Sequence, residues 1–254
     1  MKLIGMIHLD ALPGYPQHKG MSKVLEHALY DAHQLENGGI NSILLENTYD
    51  DPQQKILGTE QIVAYTVAAQ KVRENIQVPL GICCLFNDYK SALSIAKVVG
   101  ADFVRIPVFT EAVLTSYGFM EGNPYDVITF RHKIDANDIR ILADVRVKHA
   151  HPLSERPIEE SAEEILNSRA DELVITGRYT GDVPALDDLK AVRTALPNSY
   201  INIGSGTNPD NIQTLGLYAN AVIVGTYLKD NNGRMCSSRV ESLRQLIQNE
   251  PINL

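Results

Sequence analysis

The chain has 254 residues, 44% of them hydrophobic and 21% charged, and no Trp. That composition is ordinary for a soluble globular protein, and the length suits one large α/β barrel or two small domains. A formal net charge of −8 argues against nucleic acid or an anionic membrane as the main partner, because both are polyanions.

The N-terminal stretch MKLIGMIHLDALPG carries an apolar run that Gly5, His8 and Asp10 interrupt. It is too short for a signal peptide and reads as a first strand over 3–9. A helix is predicted over 22–37, where Val24, Leu25, Ala28, Leu29, Ala32 and Leu35 recur at helical spacing. Strands are then predicted at 42–47, 80–86, 103–109, 140–148, 172–177, 200–206 and 221–227. Helices near 60–75, 89–99, 125–137, 159–169, 185–195, 209–217 and 236–249 alternate with them. Cys83 and Cys84, in the third strand, and Cys236 lack Cys-x-x-Cys spacing and read as reduced thiols of a cytoplasmic protein. No stretch approaches the ~20 apolar residues of a membrane span. No linker divides the chain, so residues 1–254 are expected to form one domain.

Eight strand–helix pairs in this length predict an α/β fold of the (β/α)8, or TIM barrel, type. The rival, an open doubly wound sheet, would place Gly-x-Gly-x-x-Gly after the first strand, where His8-Leu9-Asp10 stands.

Strand residues in a barrel alternate between the axis and the helix layer. In the fifth strand Ile141, Ala143, Val145 and Val147 form an apolar face, so Asp144, Arg146 and Lys148 are expected to face the axis. The same parity turns Arg105 and Pro107 inward, along with His8, Glu46, Thr176 and Asn202. These polar positions crowd toward the C-terminal ends of their strands, where barrel enzymes place their chemistry. Burying so many charges without use is costly. Glu46, Asp144, Lys148, His8 and Arg105 are therefore the catalytic candidates.

Gly204-Ser205-Gly206 closes the seventh strand and Gly225-Thr226 the eighth. In many barrels these two turns bind phosphate, because glycine lets backbone N–H groups approach an anion closely. Ser205 and Thr226 would add hydroxyl donors. The loop from Thr110 to Pro124 reads as a lid, and 10–16 as a loop over the mouth. His149 and His151 could join His8, Asp10 or Glu46 around a divalent metal, although no recognisable ligand spacing supports it. No cofactor is required on this evidence.

Several segments in this order resemble the BtpA/SgcQ family. They are IGMIHLDALPGYP (4–16), LLENTYDDP (44–52), GADFVRIPVFT (100–110), GFMEG (118–122), ILADVRVKHAHPL (141–153), VITGRYTG (174–181), IGSGTNPDN (203–211) and VGTYLKDNNG (224–233). The resemblance implies a barrel of the ribulose-phosphate-binding type. It carries across to His8, Glu46, Arg105, Asp144 and Lys148, and to Asn47, His149, Thr176 and Gly177 as substrate-binding positions. Arg146 and Ser116-Tyr117 depart from the family pattern.

Two functions are compatible with these observations. The first is an enzyme acting on a phosphorylated sugar or nucleotide-like molecule by acid–base chemistry, as an isomerase, a lyase or a glycosidic-bond-cleaving enzyme. The second is a non-enzymatic assembly or stability factor of the BtpA type for a photosynthetic or membrane complex, with an exposed apolar patch away from the mouth. The clustered ionisable residues favour the first. The expected partner is a phosphorylated small molecule, and the chain is expected to form a homo-oligomer.

Overall fold

The computed structural model describes residues 1–248. Eight parallel strands close into a barrel: β1 (Lys2–His8), β2 (Ser42–Glu46), β3 (Leu80–Cys83), β4 (Phe103–Ile106), β7 (Arg140–Asp144), β9 (Glu172–Ile175), β10 (Ile201–Ile203) and β11 (Ala221–Val224). They neighbour one another in chain order, and β11 pairs with β1 to complete the ring. The helices are α1 (Met21–Asn37), α2 (Thr59–Arg73), α3 (Tyr89–Val99), α4 (Pro124–Lys133), α5 (Ile158–Asn167), α6 (Leu186–Ala195), α7 (Ile212–Gly216) and α8 (Ser237–Gln248). The predicted final helix extends to residue 249, which lies outside the described residues. Among the described residues, no helix is long and apolar enough to cross a membrane.

Local chemistry sets several helix boundaries. Asp88 caps α3 by accepting hydrogen bonds from the Ser91 N–H at 3.0 Å and the Ser91 hydroxyl at 2.6 Å. Gly100 ends the same helix at φ 69°, a left-handed conformation that glycine adopts without steric cost. Asn123 caps α4, with Pro124 as its first residue.

Strand parity divides the core into two shells. Leu3, Ile7, Ile43, Leu45 and Val104 pack outward against the helices. Ile4, Met6, Leu44, Cys83, Phe103, Leu142, Val174 and Ile223 pack together along the axis. Gly81 is small because the Phe103 ring occupies the space of its missing side chain: a Cβ there would lie 2.1 Å from the ring. Burying a large apolar side chain contributes roughly 1.5–3 kcal/mol, so both shells stabilise the closed barrel. The Tyr65 hydroxyl, from α2, bonds the carbonyls of Leu45 at 2.6 Å and Cys83 at 3.0 Å, fixing the ends of two strands that lead to the mouth.

Two expectations change here. The predicted strand 140–148 ends at Asp144, and the chain then turns. Period-2 parity therefore stops at Asp144, and Arg146 does not face the axis. Its guanidinium instead donates to the Arg156 carbonyl. The predicted lid loop is folded: β5 (Ala112–Thr115) and β6 (Gly118–Glu121) form a hairpin. With β8 (Ala150–Pro152) they make a three-stranded antiparallel sheet beside the mouth.

Candidate active site

At the C-terminal end of the barrel, one cavity is lined by His8, Glu46, Arg105 and Lys148 and by the turns Gly204–Thr207 and Val224–Tyr227. Met6, Ile223, Thr180 and Gly181 complete its wall. β1, β2 and β4 deliver the first three ionisable groups from inward positions. Lys148 arrives through the turn after β7.

Arg105 is the hub. Its Nε and Nη2 donate to the two oxygens of Asp144, each at 2.8 Å, and its Nη1 lies 3.9 Å from Glu46 Oε2. Two-point contact with a carboxylate fixes the plane of the guanidinium. Burial works against the Arg105 charge, yet Asp144 more than offsets it and raises the pKa. The Asp144 side chain has 0% relative exposure and lines neither cavity. Both Asp144 oxygens are thus engaged with Arg105, a geometry that suits positioning of the guanidinium rather than the direct proton transfer expected from sequence.

Glu46 is buried, which alone would raise its pKa. The charges of His8 (once protonated in acid), Arg105 and Lys148 outweigh that cost, and Thr48 donates a 2.5 Å hydrogen bond to Oε1, so the pKa is lowered and the carboxylate is ionised near pH 7. His8 Nε2 lies 4.0 Å from Glu46 Oε1. Burial, reinforced by Lys229, Lys148 and Arg234, lowers the His8 pKa to about 4 despite Glu46. The ring is therefore neutral near pH 7. Its Nδ1 is buried without a hydrogen-bond partner. Burial and the Arg105 charge lower the Lys148 pKa, outweighing Glu46 and Asp144. A depressed lysine has a larger share of neutral amine for proton transfer or nucleophilic attack.

The glycine turns pack closely against neighbouring side chains at the opposite side. A Cβ on Gly204 would meet Thr176 Cγ2 at 2.6 Å and Val174 Cγ1 at 2.8 Å. A Cβ on Gly225 would lie 2.9 Å from His8 Cε1. The Ser205 hydroxyl is already committed: it donates to the Asp182 carbonyl at 2.6 Å and accepts from the Gly177 N–H at 3.0 Å. It braces the turn, contrary to its expected role as a donor to phosphate. Thr207, which sequence patterning does not single out, supplies the better hydroxyl. It is 3% exposed, lines the cavity, and its Oγ1 has no partner. Buried polar groups are nearly always paired, so this orphan beside an anion-sized space points to a ligand.

Other expected residues lie elsewhere. Asn47 accepts from the Leu85 N–H at 2.8 Å and donates to Asp50 at 2.9 Å, while Asp50 accepts from the Leu12 N–H at 2.7 Å. This staples the loops after β1, β2 and β3, and Asn47 lines neither this cavity nor the larger cleft beside it. Asn202 faces the interior, but its amide donates to Glu172 and to the Leu173 carbonyl, low in the barrel and away from the cavity. Thr176, Gly177 and His149 line a second, larger cleft next to the first. Among the described residues, no group of three or more His, Cys, Asp or Glu side chains is arranged to hold a metal ion.

Comparison with known proteins agrees with this architecture. The model of the BtpA family matches residues 1–248. A protein of Pyrococcus furiosus is 40% identical over 234 residues, 90% of this chain and 87% of its own length. The photosystem I biogenesis protein BtpA of Synechocystis is 36% identical over 230 residues, covering 89% of this chain and 80% of its own. The putative sgc region protein SgcQ of Escherichia coli is 27% identical over 233 residues, covering 90% and 86%. Among solved structures, GGGPS from Thermoplasma volcanium superposes with a TM-score of 0.63 at 12% identity, over 99% of this chain and 94% of that one. Phosphoribosyl anthranilate isomerase from Thermus thermophilus gives 0.61 at 12% identity, over 98% of both chains. At such identities the likeness establishes the TIM-barrel fold alone.

Proposed function

The chain belongs to the BtpA family, and we propose that it is an enzyme that processes a phosphorylated small molecule by proton transfer at the mouth of the barrel. The observation that carries this reading is convergence: Glu46, Lys148, Arg105 and His8 share one cavity with the turns after β10 and β11. In this reading the phosphate sits against the Gly204–Thr207 and Gly225–Thr226 backbone, with Thr207 Oγ1 and Lys148 as further donors. Glu46, held ionised, removes a proton from the substrate. Arg105, immobilised by Asp144, and protonated Lys148 stabilise the oxyanion that develops. Glu46, now protonated, returns the proton, directly or through neutral His8, which accepts it at one ring nitrogen as the other gives one up. These roles suit isomerisation, lyase chemistry or cleavage of a glycosidic bond.

The rival reading, an assembly factor, draws on the name of the Synechocystis relative. It leaves the orphaned Thr207 and His8 atoms and the convergence of ionisable groups on one cavity without purpose. Thermal-shift measurements with sugar phosphates, nucleotides and their dephosphorylated counterparts separate the two. Phosphorylated compounds should raise the Tm by mass action, and the others should not. Lys148→Met should abolish turnover of any substrate found while leaving the Tm unchanged or higher. Absence of a shift with every phosphorylated compound would contradict the enzyme reading.

A further inference from the structure

The cavity and the cleft beside it differ greatly in size. The cavity holds about 50 Å³ and the cleft about 1390 Å³. A water molecule needs roughly 10–15 Å³ on this measure, so the cavity takes a phosphate and the few atoms joined to it. Ligand sites usually measure roughly 300–1,000 Å³. Most of a substrate anchored by its phosphate therefore has to lie outside the cavity.

Consecutive residues divide between the two hollows and form the rim that separates them. Lys148 and Thr180 line the cavity, while their neighbours His149 and Tyr179 line the cleft. This rim is ordered by its own bonds. The His149 N–H donates to the Arg178 carbonyl at 3.0 Å, His149 Nε2 bonds Thr180 Oγ1 at 3.0 Å, and the Tyr179 N–H donates to Asp182 at 3.1 Å. The His149 and Tyr179 rings pack with centroids 5.6 Å apart. Tyr179 nevertheless remains 57% exposed. Val113, Ala150 and Pro152 of the three-stranded sheet also line the cleft. The cleft thus combines an aromatic ledge with an aliphatic surface. Its charges are mixed: Arg146, Arg156 and Arg178 stand with Glu111, Glu155, Asp182 and Asp188. With four carboxylates against three guanidiniums the cleft lacks the excess of cations a second phosphate needs, and its mixed donors and acceptors match the edge of a heterocycle.

We infer that the cleft binds a planar heteroaromatic group joined to the phosphorylated part of the substrate, stacked on Tyr179 with the His149 ring, inclined 56° to Tyr179, against its edge. The substrate class is then nucleotide-like: phosphate in the cavity, a linking sugar over the rim, and the ring in the cleft. This deepens the proposed function and rests on its phosphate site.

Calorimetric titration with ribose 5-phosphate and with the adenine, guanine, cytosine and uracil nucleoside 5′-monophosphates tests it. At least one nucleotide should bind tenfold or more tightly than ribose 5-phosphate. Tyr179→Ala should remove roughly tenfold of that nucleotide's affinity, the effect of losing one stacking platform, and leave ribose 5-phosphate binding unchanged. Equal affinity for ribose 5-phosphate and all four nucleotides, or equal weakening of both classes by Tyr179→Ala, would overturn the inference while sparing the phosphate reading. No binding by any of the five compounds would overturn both.

Discussion

The barrel buries charge at both ends of its axis, and the two clusters are built differently. At the N-terminal end, Glu172 pairs with Arg140 and accepts the Asn202 amide at 2.9 Å. The Arg140 guanidinium lies over the Phe103 ring, 5.5 Å from its centroid. Asn202 Oδ1 alone is left without a partner, and the cavity and cleft at the mouth are not lined by these residues. At the mouth, Arg105, Asp144 and Glu46 form a comparable network. Added to it are a lysine with a depressed pKa and two unpaired atoms, His8 Nδ1 and Thr207 Oγ1, around empty space. An inward charge therefore does not by itself mark a site. Unspent bonding capacity beside a cavity does.

The sharpest way to break this comparison is to remove one carboxylate from each cluster. Asp144→Asn leaves the buried Arg105 poorly compensated and should cost about 3–5 kcal/mol in denaturant unfolding. Glu172→Gln should cost only about 1–2 kcal/mol, because the Arg140 side chain is 47% exposed and water screens its charge. Similar costs for both would mean that the two clusters are equivalent.

Acid stability comes next in size. The His8 pKa falls from 6.5 unfolded to about 4 folded, so between these values the unfolded chain binds more protons. Stability should drop as pH falls from 6.5 toward 4, by about 3 kcal/mol for a shift of this size. The lowered Glu46 pKa acts in the same direction, at and below the ordinary carboxylate range. His8→Asn should flatten the upper part of this pH profile, measured by Tm against pH. An unchanged profile would exclude His8 as its source.

The smallest effect distinguishes bracing from binding. Thr207→Val removes an unpaired hydroxyl without changing shape, so stability should hold or rise by about 1 kcal/mol. Phosphate affinity should fall about fivefold, the loss of one hydrogen bond. Loss of stability with unchanged affinity would make Thr207 structural.

The barrel was legible because period-2 alternation survives wherever a strand does: Ile4, Met6 and His8 face the axis, as do Leu44 and Glu46. Legibility failed where strands end. Arg146 follows the parity of Asp144 on paper, but the ladder has stopped, and a turn sends Arg146 to the cleft and Lys148 to the cavity. Parity also says nothing of depth, so Asn202 looked like a site residue while its amide bonds downward. Val113 and Met120 alternating with Leu114 and Phe119 across Ser116-Tyr117 could have announced the β5–β6 hairpin. Thr180, Gly181 and Thr207 reach the cavity from loops, where no period exists to read.

A crystal structure with bound ribose 5-phosphate tests the central claim most directly. The phosphorus should lie among the Gly204–Thr207 and Gly225–Thr226 backbone groups, with Thr207 Oγ1 and Lys148 Nζ in contact with its oxygens. Phosphate bound elsewhere, with the cavity holding only water, would contradict it.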